Sequence, residues 1–410
     1  MKSWAVIGAL LALVSGGVGF ANAKTQSLKT FEAHFEERSY APGTGASLIV
    51  RSPTSKVTVQ IFRCGPERGR TPGHGTMRGV AVEAARIVHV APRAWSRVPT
   101  RLQYWPSGVY FARLRSGSQT FFAPFILRAL PNLRSRVAVV MPTNTWQAYN
   151  FRDDDEDGIP NTWYADESVT TVDLSRPFEH RGVPSHFRAN DVQFIRWLAL
   201  TGKTPAFLAD DDLGRVPSGR ALLAAYDLVI FPGHHEYVTQ HAFDVIESYH
   251  ELGGNLMFLS ANNFYRRVIR SGTTITRDEA FRDLGRPEAS FVGVQYVDWN
   301  MYTYSNRPFH VVSRGAAPWF FKGTRLRRGS RFGVFGIEID ARTADSPPRT
   351  KVLANLPNIF GPGKTGEMVY HETPAGAKVF ANGAMTMAGG ALVPPMRQLV
   401  ANLWAHLSEP

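Results

Sequence analysis

The hydrophobic pattern of the chain changes near residue 136, and this change limits the folds that are open to it. Before that point, segments such as ASLIVRS, KVTVQIF and GVYFARLRSG alternate apolar and polar residues between Gly, Pro and Ser clusters, as strands with one buried face do. After it, RVAVVMP is a continuous apolar run, which is typical of a strand buried on both faces. The sequence therefore predicts two domains of different class.

The first predicted domain spans residues 24–131. Its last two segments, SGVYFARLR and TFFAPFILRAL, are joined by SGSQ and predict a hairpin that closes a β-sandwich (Ig-like) domain. Such a module can bind sugars, although docking against a neighbouring domain is its commoner role.

The second predicted domain spans residues 132–410. DVQFIRWLALTG and HAFDVIESYHELGG have helical spacing, and they lie between the apolar runs RVAVVMP, PAFLAD, DLVIFPG and NLMFLS. Strands that alternate with helices predict an α/β domain with a parallel sheet and right-handed crossovers. The Gly- and Pro-rich stretch from residue 294 onward is interpreted as the completion of this domain.

The first 23 residues predict a signal peptide. Lys2 precedes an apolar stretch that glycines interrupt well short of a membrane span, and Ala21-Asn22-Ala23 offers a cleavage site before Lys24. We expect a secreted or periplasmic protein. Cys64 is the only cysteine, so no intrachain disulfide can form.

The formal net charge of +12 raises the question of nucleic-acid binding. The arginines are spread along the whole chain, and the densest run, KGTRLRRGSR at residues 322–331, contains no aromatic residue. This pattern favours a solvated basic loop that faces an anionic envelope or polymer over a nucleic-acid partner.

Polar residues follow three of the predicted parallel strands, at the point where each strand ends. In such sheets ligands bind beyond the carboxyl ends of the strands, so these side chains should meet in one crevice. A single asparagine there could instead cap a helix or shape a turn. As a set, the strand ends predict a functional site made of Asn144, Tyr149, Asn150, His234, His235, Glu236, Tyr237, Asn262 and Asn263.

The turn after the DLVIFPG strand limits the chemistry of this site. In hydrolases with an acyl-enzyme intermediate that turn holds a Ser or Cys nucleophile, whereas here it reads GHHE. A carboxylate beside two histidines is suited to a metal site with a general acid or base. The spacing differs from H-E-x-x-H, so the residues alone leave the metal open.

An acidic segment, FRDDDEDGIPNTWY, lies at residues 151–164. Asp153, Asp155, Asp157 and Gly158 match the first half of a calcium-binding loop, D-x-D-x-D-G, and the segment also resembles the calcium loops of thrombospondin type 3 repeats. The twelfth position, where a bidentate Glu is expected, holds Tyr164. Two interpretations stay open: a calcium site at the three aspartates, and a solvated acidic loop.

A series of motifs resembles a known family. PTNTWQAYN, SRPF, FIRWLALTG, YDLVIFPGHHEY, LGGNLMFLSANNFY and ETPAGAKVF occur in the order found in the large subunit of N,N-dimethylformamidase, and more closely in its C-terminal domain family. The resemblance covers roughly residues 107–407 and includes the hairpin of the predicted sandwich. It implies a parallel-sheet class I amidotransferase-like (flavodoxin-like) fold for the second domain.

The resemblance also implies a mononuclear iron site held by two tyrosines and one glutamate. By motif position, Tyr149 of QAYN and Glu236 of GHHEY correspond to two of these ligands. Tyr164 is assigned as the second tyrosine, although an acidic insertion precedes it here. His234 and Asn262 correspond to neighbouring functional positions. Glu372 of YHETPAG corresponds to a further acid.

The donor chemistry is consistent with what the resemblance implies. Phenolate and carboxylate oxygens are hard donors that suit ferric iron, and a cation lowers the pKa of a ligating tyrosine. An open coordination position then activates water against an amide carbonyl, while His234 shuttles protons and Asn262 polarises or orients the carbonyl.

We therefore predict an exported amidohydrolase-like protein that hydrolyses a C–N amide bond of a small amide substrate. One alternative is a non-catalytic envelope or polysaccharide-binding protein that uses the same strand-end pocket, and another is a hydrolase with a different metal. The sequence leaves open whether the protein forms a homo-oligomer and whether it needs a small partner subunit.

Overall fold

A computed structural model describes residues 31–69, 73, 75–130, 135–300 and 306–409. The predicted signal peptide, residues 1–23, and its cleavage site before Lys24 lie outside these described residues. Among the helices of the described ranges, none combines the length and the apolar composition needed to cross a membrane.

Nine strands make up the amino-terminal part of the described chain. They are β1 (Glu32–Phe35), β2 (Ser39–Tyr40), β3 (Gly45–Arg51), β4 (Lys56–Arg63), β5 (Val80–Ala81), β6 (Arg86–His89), β7 (Trp95–Arg101), β8 (Gly108–Ser116) and β9 (Gln119–Leu127). They form a three-stranded sheet, β1-β3-β7, and a six-stranded sheet, β2-β9-β8-β4-β5, in which β6 also pairs with β4.

The alternating pattern of these strands explains how the two sheets pack. Every second residue of β3 and β4 is buried, and these residues form one apolar cluster with residues of β8 and β9. The opposite face of the six-stranded sheet, including Phe62, Phe111 and Phe122, belongs to a second cluster that contains Trp197 of the following region. The sandwich is thus docked tightly on the rest of the protein through its larger sheet.

The next region alternates strands and helices. Its elements are β10 (Val137–Met141), α1 (Thr143–Ala148), β11 (Thr171–Asp173), α2 (Phe187–Asn190), α3 (Val192–Leu200), β12 (Ala206–Ala209), α4 (Asp210–Leu213), α5 (Gly219–Ala225), β13 (Leu228–Phe231), β14 (Tyr237–Thr239), α6 (Gln240–Glu251) and β15 (Asn255–Phe258). All residues of β10, β12, β13 and β15 are buried, as the continuous apolar runs predict.

The carboxy-terminal third consists mainly of strands. Its elements are β16 (Arg266–Ser271), β17 (Thr274–Ala280), α7 (Ala289–Val292), β18 (Gln295–Trp299), β19 (Asn306–Val311), β20 (Arg331–Ala341), β21 (Lys351–Leu356), β22 (Gly366–Glu372), β23 (Lys378–Ala381), β24 (Ala384–Met385) and α8 (Met396–Leu407), with short 3₁₀ helices at Phe281–Leu284 and Ala388–Gly390.

The predicted flavodoxin-like, class I amidotransferase-like parallel α/β domain is wrong. The large sheet has eleven strands in the order β12-β10-β13-β15-β23-β22-β21-β19-β20-β18, with β24 paired to β20. Pairing is parallel from β12 to β23, but from β23 to β18, and between β20 and β24, it is antiparallel. A second, four-stranded sheet, β11-β17-β16-β14, is also mixed.

The cause of this difference lies in the connections. A parallel pair of strands needs a crossover of a dozen or more residues, usually a helix, whereas antiparallel neighbours need only a turn. From β16 to β24 the described chain has only short helical turns between its strands, and its one long helix, α8, follows the last strand. The strands of this third pair mainly in antiparallel fashion, with hairpins at β16–β17, β21–β22 and β22–β23.

Candidate active site

The candidate residues follow the carboxyl ends of three adjacent parallel strands of the large sheet. β10 and β15 pair in parallel with β13 on either side, so their carboxyl ends face the same way. Tyr149 stands at the end of α1, just after β10, whereas Glu236 follows β13 and Asn262 follows β15. The chain between Glu236 and β15 returns through α6, whose first turn is capped by the Thr239 side chain.

The carboxylate of Glu236 is the centre of the cluster. Its Oε2 atom accepts hydrogen bonds from the Tyr149 hydroxyl at 2.8 Å and from the Tyr164 hydroxyl at 3.0 Å. The Nε2 atom of His234 lies 3.1 Å from the same oxygen. Glu236 is 5% exposed, so these contacts are made largely out of water. Three of the residues predicted from separate motifs thus meet Glu236 at one carboxylate oxygen.

The two tyrosines also contact each other. Their rings stack with centroids 4.3 Å apart, and the Tyr164 hydroxyl makes a very short contact with the hydroxyl of Tyr237. Burial, and next the nearby Glu236 carboxylate, raise the pKa of both Tyr149 and Tyr164 well above the usual range of a phenol. Without a cation both phenols therefore keep their protons and donate them to Glu236.

His234 is held in a defined orientation. Its Nδ1 atom is 3.0 Å from the Ala261 carbonyl, which can only accept, so Nδ1 carries a proton and Nε2 faces the acids. Burial alone would lower the pKa of His234, but the carboxylates of Glu338 and Glu236 outweigh it and raise the pKa to about 9. The imidazole therefore holds a proton beside the two glutamates.

Two acids of β20 complete the cluster. Glu338 accepts a hydrogen bond from Asn262 Nδ2 at 2.8 Å and lies 3.6 Å from His234 Nε2. Asp340 accepts from the backbone N–H of Asn262 at 2.8 Å, and it fixes this residue in a left-handed conformation with φ of 52°. Burial raises the pKa of Glu338 to about 7 and that of Asp340 to about 8.

The donor set fits a small, hard cation. Hydrogen bonds of 2.8 and 3.0 Å already hold the two phenol oxygens beside Glu236 Oε2. Phenol and carboxylate oxygens are hard donors, and a cation among them would favour phenolate over phenol. Tyr149, Tyr164 and Glu236 are therefore the residues that could hold a hard cation.

A narrow crevice with room for about one water molecule reaches this cluster from one side. Its walls include Tyr149, His234 and the buried residues Asn190 and Asp191.

The sequence profile of one family, described as N,N-dimethylformamidase beta subunit-like, C-terminal, matches residues 80–394. This match spans well over half of the chain. The chain belongs to this family. It is therefore dimethylformamidase-like and, at this coarse level, related to a hydrolase. No curated protein sequence matches the chain.

Three solved structures resemble parts of this dimethylformamidase-like chain, but only weakly. The sulfur carrier protein SoxY from Chlorobium limicola f thiosulfatophilum is 12% identical, with 25% of this chain and 80% of that one covered and a TM-score of 0.15. A cycloisomaltooligosaccharide glucanotransferase of Paenibacillus sp. is 12% identical over 43% of this chain and 27% of its own, with a TM-score of 0.17. A family 123 glycoside hydrolase from Clostridium perfringens is 8% identical over 29% and 28%, with a TM-score of 0.14. Scores this low carry no argument about fold or function.

The structure does not bring Glu372 to the cluster around Glu236. Glu372 ends β22, which runs antiparallel to β23. It pairs there with Lys378, the first residue of β23, so it lies at the opposite ends of the parallel strands from the cluster. Its Oε1 atom accepts a hydrogen bond from Tyr370 at 2.6 Å, and the side chain is exposed. The acid that lies near His234 is Glu338 instead.

Three other strand-end residues, His235, Asn150 and Asn144, lie outside the hydrogen-bonded cluster around Glu236. His235 points away from the cluster, with its ring edge-on to Phe231 at 4.9 Å, and burial lowers its pKa to about 3. The Asn150 side chain bonds Gln147 and the Pro177 carbonyl, and that of Asn144 donates to the Tyr237 carbonyl. The contacts of Asn150 correspond to the alternative of a residue that shapes a turn, whereas Asn144 lies within α1 and bonds the first residue of β14.

The acidic loop brings its three predicted aspartates together. Carboxylate oxygens of Asp153, Asp155 and Asp157 all lie within 4.8 Å of one another. Asp153 also accepts backbone N–H groups of Glu156 and Gly158, at 2.7 and 3.1 Å, which shapes the loop into a tight turn. Calcium binding at these three aspartates stays a prediction.

Sequence reasoning missed Glu338 and Asp340, although a signal was present. The segment FGIEIDA places two acids at alternate positions of an otherwise apolar strand, so that both side chains face the same side. Acids are rarely buried unless they have partners, and a pair of them in such a strand indicates a polar site. The motif SRPF was noted for its order in the chain, but no role was assigned to its arginine, Arg176.

Proposed function

We propose that this protein hydrolyses the C–N bond of a small amide at a mononuclear iron site formed by Tyr149, Tyr164 and Glu236. The observation that carries the proposal is the meeting of both phenols and His234 at one oxygen of the buried Glu236 carboxylate. Iron bound there would act as a Lewis acid towards the amide carbonyl and would lower the pKa of water.

His234 moves the proton in this proposal. Its Nδ1 atom is committed to the Ala261 carbonyl, so proton exchange takes place at Nε2. The Glu338 carboxylate, 3.6 Å from Nε2, receives this proton or returns it. Water provides the hydroxyl of the product acid, and the proton passes to the departing amine.

Asn262 orients the substrate. One hydrogen of its Nδ2 group is given to Glu338, and the second can be donated to the carbonyl oxygen of the amide. Asp340 holds the backbone of Asn262 and therefore keeps this donor in place before the substrate arrives. Such fixed donors stabilise the negative charge that develops on the carbonyl oxygen during attack.

Amine release from iron-loaded protein tests the proposal. We expect iron-dependent hydrolysis of at least one small amide in a series from formamide to N,N-dimethylformamide. His234→Gln should keep its iron and lose roughly 100-fold or more in rate, because a proton-transfer group is removed. His241→Gln, at an exposed histidine of α6, serves as the matched control. Iron-loaded protein that hydrolyses no amide while binding envelope polysaccharide would favour the non-catalytic alternative.

We propose two further properties that the sequence predicts. The first is export, with cleavage before Lys24, because of the small residues at Ala21 and Ala23. The second is calcium binding by Asp153, Asp155 and Asp157, whose carboxylates already lie close together. Amino-terminal sequencing of exported protein tests the first property, since material that begins at Met1 would contradict it.

A further inference from the structure

Arg176 is a buried cation next to the candidate site, and none of its contacts is to Glu236 or His234. It follows β11 in the motif SRPF, and its side chain is only 5% exposed. Burial, and next the neighbouring Arg152, lower its pKa to about 10, so it stays charged at neutral pH. A buried charge of this kind needs strong partners, and its partners lie in two separate segments.

The first segment is the end of α1. Arg176 Nη2 donates to the carbonyl oxygen of Gln147 at 3.1 Å and to that of Asn150 at 3.0 Å. These two residues flank Tyr149, one of the proposed iron ligands. Both carbonyl groups lie at or just beyond the carboxyl end of α1, where a cation is favourable.

The second segment is the acidic loop that leads to Tyr164. Arg176 Nη1 donates to the Asp154 carboxylate at 2.6 Å and to the Asn161 carbonyl at 3.0 Å. Asn161 stands three residues before Tyr164. The loop is also fastened from outside, because Arg152 forms a two-pronged ion pair with Glu32 of β1 at 3.1 and 3.0 Å.

We propose that Arg176 is a positioning residue that fixes the Tyr149 and Tyr164 segments against each other and so sets the spacing of the two phenol oxygens. The inference rests on the proposed iron site for its functional meaning, but the bridging role itself does not need a metal. The two terminal nitrogens of one planar guanidinium reach both segments at once. A lysine ammonium, with a single nitrogen, cannot reproduce this geometry.

Hydrogen exchange on the metal-free protein tests the bridging role. We expect Arg176→Lys to speed amide exchange at least about tenfold in residues 147–150 and also in residues 152–164. Arg196→Lys is the matched control, because Arg196 is equally buried but lies on α3 and pairs with Glu67 of the sandwich. Faster exchange in only one of the two segments, or in neither, would overturn the inference.

A second variant protects the test against misfolding. Asp154 is about one-third exposed, and Asp154→Asn removes one charged partner of Arg176 together with the ion pair of Asp154 and Arg152 within the loop. It should loosen residues 152–164 and leave residues 147–150 as protected as in the wild type. Equally fast exchange in residues 147–150 would show that Arg176 needs Asp154 to hold the end of α1, which contradicts two independent sets of contacts.

The iron-bound protein provides the functional readout. We expect Arg176→Lys to bind ferric iron about tenfold more weakly than wild type and to shift its visible tyrosinate absorption, while Arg196→Lys changes neither. Millimolar guanidinium chloride, but not sodium chloride, should restore the absorption of Arg176→Ala. Wild-type affinity and an unshifted band in Arg176→Lys would overturn the positioning role. Wild-type protein that binds no iron would instead refute the proposed function, and hydrogen exchange would still decide the inference.

Discussion

Two buried histidine sites on opposite parts of the large sheet show opposite electrostatics. His234, beside β13, lies within hydrogen-bond range of Glu236 and near Glu338, and these acids raise its pKa to about 9 against the effect of burial. His371 on β22 is at least as buried, but among the described residues neither of its ring nitrogens has a hydrogen-bond partner. Burial, and next His250 with its ring 5.9 Å away, lower the pKa of His371 to about 3.

The difference shows which region is built to hold charge. At the His371–His250 pair the rings fill apolar space and stay neutral, so they contribute packing and no chemistry. At the His234 cluster two acids and two phenols surround the imidazole, and the surplus of acidic groups favours a cation. The predictions below test this contrast, from the largest expected effect to the smallest.

Glu236→Gln should reduce the iron affinity at least about 100-fold. Glu236 is the one proposed ligand that is already an anion, whereas each tyrosine must first lose its phenol proton. The fold should survive, since an amide can still accept from both tyrosines. Iron titration and circular dichroism measure the two effects. Glu67→Gln, at a buried glutamate of the sandwich side, is the control and should bind iron normally. An unfolded Glu236→Gln protein would mean that Glu236 is a structural carboxylate.

Glu338→Gln should leave iron bound and lower the rate of amide hydrolysis by roughly 100-fold, because the proton partner of His234 is lost. Glu372→Gln should leave the rate unchanged, since Glu372 lies beside the amino end of β23, away from the cluster. Steady-state rates of the two variants compare Glu338, which the structure places near His234, with Glu372, which the sequence motif indicated. A larger loss in Glu372→Gln would reverse this assignment.

The sequence predicted the local elements of this site better than their assembly. Continuous apolar runs identified β10, β13 and β15, and their polar ends identified Tyr149, Glu236, His234 and Asn262. These residues follow strands that pair in register, so that sequence position translates directly into spatial position. The parallel fold class was extended too far, because the hairpins after β15 gave no crossover helices.

Glu338 could not be placed from the sequence because its position depends on irregular pairing. β20 is separated from β15 by several strands in the sheet order, but β24 follows β23 directly and pairs with β20. The pairing of β24 and β20 slips between Gly336 and Ile339, and Ile337 has a φ of 67°. Such bulges bend a strand, and here the bend brings Glu338 over the end of β15.

His250→Leu should make the protein less sensitive to acid. Burial lowers the pKa of His250 to about 4, so between pH 6.5 and 4 the unfolded chain binds more protons than the folded one. Stability from the neutral ring is therefore present above pH 6.5 and is lost as the pH falls, by about 2 kcal/mol at pH 5. Urea unfolding at pH 7 and pH 5 measures the difference. His241→Leu is the exposed control on α6, and an equal gain there would contradict the burial argument.

Calcium should raise the melting temperature slightly, by about 1–3 °C, if it binds Asp153, Asp155 and Asp157. The effect is small because the loop is already shaped by its own hydrogen bonds and by the ion pair of Arg176 with Asp154. Thermal unfolding in excess calcium and in excess chelator gives the comparison, with Asp155→Asn as the variant that should not respond. Identical melting in both conditions would leave the loop as a solvated acidic turn.

Iron content measured together with visible absorption is the most direct test of the charge-holding cluster. Purified wild-type protein supplied with ferric iron should contain about one iron per chain and show the charge-transfer band of a ferric tyrosinate. Tyr149→Phe should lose or strongly shift this band, whereas Tyr226→Phe, at a tyrosine that ends α5, should keep it. Wild-type protein without iron and without the band, or a band that persists unchanged in Tyr149→Phe, would contradict the account.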